Sequence, residues 1–186
     1  MTESTSSRER NMRGWLRQHG AETIEHPGGT LYAHLSRVYD RLGRLGQDDD
    51  TCLAGLAHAT YGTDGFDIVL LGWQDRSALR EIIGERAEEL VYRYGGCDRG
   101  RTWQRLAVSG EVYNRFTDRT EALGPAQLRS FVDLTIVNEL DVMEHAPSIM
   151  DEHGAYFRQM FAAWAAMASP TIIEDARKVM GVSSLS

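Results

Sequence analysis

The chain is nearly without lysine: Lys178 is the only one among 20 basic residues, and the rest are arginines. Arginine codons are GC-rich and lysine codons AT-rich, so the imbalance points to a high-GC bacterial genome and not to a mechanism. Cysteine is scarce as well. Two thiols cannot staple 186 residues into a disulfide scaffold, and Cys52 in an apolar run and Cys97 after two glycines are expected to be free thiols of a reducing compartment. No stretch approaches the roughly 18 consecutive apolar residues of a membrane-spanning helix. Residues 1–10 are polar, with no apolar segment behind them, so a secretory leader is not expected and a cytoplasmic protein is. Positive charge is in deficit. A net charge of -7 lacks the basic field that phosphate neutralisation requires, which argues against a nucleic-acid partner.

What is present is ordinary for a globular chain, with 42% hydrophobic and 25% charged residues. The length suits one core. The expected organisation is a disordered leader over 1–10, a single helical domain over 11–181 and a flexible tail over 182–186.

Apolar periodicity predicts an all-α fold, with room for one small β-hairpin. Residues 11–19 read as a short opening helix. Leu31, Leu35, Val38, Leu42 and Leu45 recur four and three apart, one stripe of an amphipathic helix with Thr30 as its N-cap. Asp48, Asp49 and Asp50 favour the positive end of the next helix, whose run from Cys52 to Ala59 has no polar face except His58. Such a helix belongs at the centre of a bundle. Asp75 or Ser77 caps a further helix carrying Leu79, Ile82, Ile83, Ala87, Leu90, Val91 and Tyr94 on one side. Leu106 and Val108, a Ser109-Gly110 turn, then Val112 and Tyr113 suggest the hairpin. Pro125 opens a long helix that Pro147 ends, and a last helical pair follows, with an aromatic stripe ending at Trp164.

Histidines stand where a core has no obvious use for them. His34 lies on the edge of the Leu31–Val38 stripe, and His58 closes the most apolar helix in the chain. A buried imidazole costs free energy unless its nitrogens are hydrogen-bonded, metal-bound or wetted. His26, in the turn Glu25-His26-Pro27-Gly28-Gly29, is eight residues before His34, close enough for both rings to reach one point. Tyr61 follows His58 by three and is a candidate proton donor. Asn138 interrupts a later apolar helix and is a candidate substrate contact, as is Arg115, whose guanidinium suits phosphate or carboxylate. His145 before Pro147 reads as a helix cap, while His19 and His153 read as exposed.

A histidine inside one helix, a second closing the next buried helix, and a polar residue far downstream resemble the His, His-Asp, Asp skeleton of the HD-domain superfamily. The segments His26-Pro27-Gly28-Gly29-Thr30-Leu31, His34-Leu35, Leu53-Ala54-Gly55-Leu56-Ala57-His58-Ala59-Thr60-Tyr61-Gly62-Thr63, Ile83-Gly84-Glu85-Arg86-Ala87-Glu88 and Asn138-Glu139-Leu140 further resemble a small HD-like group of unknown function. The resemblance implies a helical bundle with a central metal site, most often of phosphohydrolases, with one branch of di-iron oxygenases. The chain departs from it at both acidic ligands. Ala59 stands where the Asp after the second His belongs, and Asn138 replaces the distal Asp.

Without carboxylates a hard divalent ion is left uncompensated, so the ordinary HD hydrolase is disfavoured. Three readings follow. In the first, His34 and His58 are general acid and base, with Tyr61 as a donor and His26, Asn138 and Arg115 binding a small-molecule substrate, for isomerisation, elimination, cyclisation or hydration in bacterial specialised metabolism. In the second, a single zinc or iron sits on His26, His34 and His58 and supports hydrolysis or oxygen chemistry. In the third, the bundle is a non-catalytic ligand-binding or interaction module, its aromatic stripe forming a homodimer face.

Overall fold

The computed structural model describes residues 4–183. The fold is mainly α-helical, as expected, and the described residues form two small antiparallel hairpins where the sequence suggested one. Contacts cluster into two compact units, residues 1–96 and 97–186, where the sequence suggested one domain.

The first unit begins with α1 (Thr5–Gln18), which starts inside the stretch expected to be a disordered leader. Met12 and Leu16, four apart, are fully buried, and this apolar stripe offsets the ordering entropy of the polar residues before it. Residues 1–3 of that leader and 184–186 of the expected tail lie outside the described residues. A two-residue hairpin follows, β1 (Glu25–His26) pairing with β2 (Gly29–Thr30). Its turn is Pro27-Gly28, with Gly28 at φ 80°, the conformation a type II turn requires of the residue after proline. Thr30 then caps α2 (Leu31–Arg44), its hydroxyl accepting the Ala33 N–H at 3.2 Å.

Helix α3 (Asp49–Ala57) is capped by Asp48, which accepts the Thr51 N–H at 2.7 Å, and every residue from Thr51 to Ala57 is buried. It packs against α1, α2, α4 (Arg76–Ile83) and α5 (Glu85–Gly96), the central position its composition predicts. Its approach to α2 depends on Gly55: a Cβ there would overlap Leu42 Cδ1 and lie 3.2 Å from Val38 Cγ1. The single helix expected from Asp75 to Tyr94 is two helices, because Gly84 at φ 89° ends α4 with a backbone conformation that L-residues rarely adopt.

In the second unit, α6 (Arg99–Ser109) absorbs Leu106 and Val108, which were expected in a strand. Thr102, Trp103 and Leu106 share its buried face, and Gly110 at φ 64° closes it in the left-handed conformation. The hairpin lies just beyond, β3 (Glu111–Asn114) with β4 (Arg119–Ala122). Helix α7 (Pro125–His145) precedes the expected last pair, α8 (Pro147–Trp164) and α9 (Pro170–Val179). The buried Asp133 carboxylate on α7 accepts both the N–H (2.8 Å) and the hydroxyl (2.6 Å) of Ser169, the N-cap of α9. Cys52 and Cys97 are buried and form no disulfide, and burial together with Asp48 and Asp49 pushes the Cys52 thiol up to about 12.

Candidate functional site: a histidine contact series in the first unit

Helix α2 aims His34 inward because it shares the stripe of Leu31, Leu35 and Val38, and it is only 1% exposed. His58 occupies the residue after α3, 2% exposed. Their Nε2 atoms lie 3.3 Å apart with the rings nearly perpendicular. His58 Nδ1 sits 2.8 Å from the Gly55 carbonyl oxygen. A carbonyl only accepts, so this nitrogen carries hydrogen. In neutral His58 the Nε2 is then a bare acceptor, and the proton between the two rings comes from His34. When both rings are neutral, one proton therefore bridges the two buried imidazoles.

His26 stacks on His34 with ring centroids 4.0 Å apart and planes inclined by 22°. It is half-buried, the outermost ring of the three. Phe66 meets it edge-on at 5.2 Å, and Tyr94 meets His58 in the same way at 5.2 Å. The turn that carries His26 is held from α2 itself, one turn beyond His34: Arg37 donates from Nη1 to the Gly28 carbonyl and from Nη2 to the Pro27 carbonyl, each at 3.2 Å. Two residues after His58, the Thr60 hydroxyl is fully buried and has no hydrogen-bond partner among the described residues.

The three histidines do converge, but not as a metal site. Stacked imidazoles send their in-plane lone pairs along parallel directions, so His26 and His34 cannot both aim at one ion. Among the described residues no group of three or more His, Cys, Asp or Glu side chains is placed to hold a metal. Ala59 adds no carboxylate to the pair. The expected zinc or iron centre on His26, His34 and His58 therefore does not fit this geometry.

Tyr61 also departs from its expected role as proton donor. Its hydroxyl donates to Glu88 Oε1 at 2.9 Å, facing a buried ionic cluster. Glu88 is fully buried and receives Arg76 Nε (2.7 Å) and Nη2 (2.8 Å) and Arg80 Nε (2.8 Å). Burial pushes the Glu88 carboxyl up, but the bonds from Arg76, Arg80 and Tyr61 outweigh it and hold it below its ordinary value. Burial and the neighbouring Glu88 raise the Tyr61 phenol well above its ordinary value. The phenol is a structural donor. Sequence reading assigned no role to Glu88, Arg76 or Arg80; the available signal was an acidic residue three before Val91, on the buried side of α5.

Asn138 and Arg115 belong to the second unit. The buried Asn138 amide donates to Glu139 Oε1 at 2.9 Å, and Arg99 Nη1 lies 3.1 Å from the same oxygen. Arg115 is exposed, with its guanidinium 5.1 Å from the Phe116 ring centroid. His145 donates from Nδ1 to the Asp141 carbonyl at 2.8 Å at the end of α7, as its reading as a cap implied.

A search of curated proteins finds no match to this chain. Residues 15–99 match the model of a domain of unknown function, DUF6817, a span that takes in His26, His34, His58, Tyr61 and Glu88 and stops short of Asn138 and Arg115.

Proposed function

We propose that the first unit is an acid–base catalyst acting on a small organic molecule, in reactions that move a proton without changing oxidation state: isomerisation, elimination, cyclisation or hydration. The observation that carries this is the 3.3 Å Nε2–Nε2 contact of His34 and His58, with His58 Nδ1 anchored on Gly55. A pair that shares one proton accepts a second and returns it elsewhere on the same substrate, so isomerisation and cyclisation balance without a co-reactant, while hydration takes up one water and elimination releases one. His26 and Phe66, half-buried and packed edge to face, stand on the outer side of the pair. The reading places the unit beside the HD-domain superfamily as a member that has exchanged metal chemistry for imidazole chemistry.

The test is to incubate the full chain with a bacterial small-molecule extract and follow all components by mass spectrometry, with His34→Gln and His58→Gln alongside. Wild-type protein should deplete a compound and generate an isomer, a dehydration product or a hydrate, and each variant should slow this about 10²–10⁴-fold while keeping its helical circular dichroism. Equal conversion by the folded variants overturns the proposal. So does a compound that is bound but never altered.

A further inference from the structure

We propose that Arg76 and Arg80 form a binding site for a phosphate group, separate from the histidine pair and independent of the acid–base reading. Glu88 contributes one negative charge and the two guanidiniums contribute two positive charges, so the cluster carries a surplus of +1. Arg76 commits Nε and Nη2 to Glu88, and Arg80 commits only Nε. Arg76 Nη1 and both terminal nitrogens of Arg80 have no protein partner among the described residues. The arginine side chains are 25% and 41% exposed, whereas that of Glu88 is 0% exposed.

Four residues apart on α4, the two arginines share one helix face. Glu88 holds Arg80 by Nε alone, which leaves both terminal nitrogens of Arg80 for a ligand, whereas the double bond from Arg76 leaves only its Nη1. The Arg76 guanidinium lies 3.8 Å from the Tyr92 ring centroid, which fixes its plane, and Trp73 packs on that same tyrosine. Asp75 and Glu81 adjoin Arg76 and Arg80 in sequence, and no ion pair joins either carboxylate to the two arginines among the described residues. Two guanidinium edges, held rigid and carrying excess charge, match a tetrahedral oxyanion that accepts several N–H donors at once. They match a single planar carboxylate less well.

The experiment titrates inorganic phosphate into the full chain at constant ionic strength and follows the Arg76 and Arg80 Nε–Hε signals by NMR, with phenyl phosphate and acetate in parallel. Saturable shifts of both signals with either phosphate support the site; a stronger response to phenyl phosphate assigns it to a phosphate ester, a stronger one to inorganic phosphate to the free ion. Arg80→Gln leaves Glu88 bonded to Tyr61 and doubly to Arg76, and should weaken binding about tenfold or more. Arg80→Lys keeps the charge but removes the planar fork, and serves if the first variant does not fold; it too should bind less tightly. No saturable shift, an equal response to acetate, or unchanged phosphate affinity in the folded Arg80 variants overturns the proposal.

Discussion

His58 Nδ1 donates to the carbonyl of Gly55, three residues earlier in the chain, across 2.8 Å. That one bond sets the direction of the hydrogen bond beyond it, because it obliges neutral His58 to offer a bare Nε2 to His34. Nitrogen-15 NMR of the imidazoles at neutral pH should show His58 protonated at Nδ1, with a slowly exchanging proton on that nitrogen. A His58 whose Nδ1 lacks hydrogen would contradict the arrangement.

Gly55 has a second duty, since a side chain there meets Leu42 and Val38 on α2. Gly55→Val should cost about 2–3 kcal/mol by overpacking. Denaturant unfolding measures the loss. The same variant should shift the His34 and His58 imidazole signals, because it pushes α3 away from α2; unchanged signals would mean that the helix contact does not set the histidine distance.

Glu88 makes stability depend on acid. Its folded value is depressed, so its contribution is complete above the ordinary carboxyl range and is lost as pH falls through the lower folded value. Glu88→Gln should destabilise the protein by about 2–3 kcal/mol at neutral pH, less than the loss of a fully buried partner because both arginines are part-exposed. The gap between the two proteins should narrow as pH falls below about 4, in thermal or denaturant unfolding. A gap that stays constant into strong acid would rule out an ionised Glu88 as its source.

The helices were largely legible because apolar spacing is a local property: Leu31, Leu35, Val38 and Leu42 announce α2, and Thr30 announces its start. The hairpin was placed too early. Leu106 and Val108 satisfy a two-residue alternation as readily as a helical one, and only the burial of Thr102, Trp103 and Leu106 on one face separates the two. The inward aim of His34 and His58 was legible from the apolar runs that carry them, and the turn before α2 allowed His26 to meet His34, yet the stacking that rules against a shared metal was not legible. The partner of Tyr61 is 27 residues away. Proximity to His58 in the chain suggested a shared site, and only the path of α5 reveals that the phenol turns to Glu88.

Ser169 does more than start the last helix. Its N–H and hydroxyl are what the Asp133 carboxylate has in exchange for water, and burial still holds that carboxyl above its ordinary value. A chain clipped before Ser169 would therefore not merely lose a trailing segment. It would strip an acid of its counterweight midway along the longest helix, so damage at the C-terminal end is felt first in the interior.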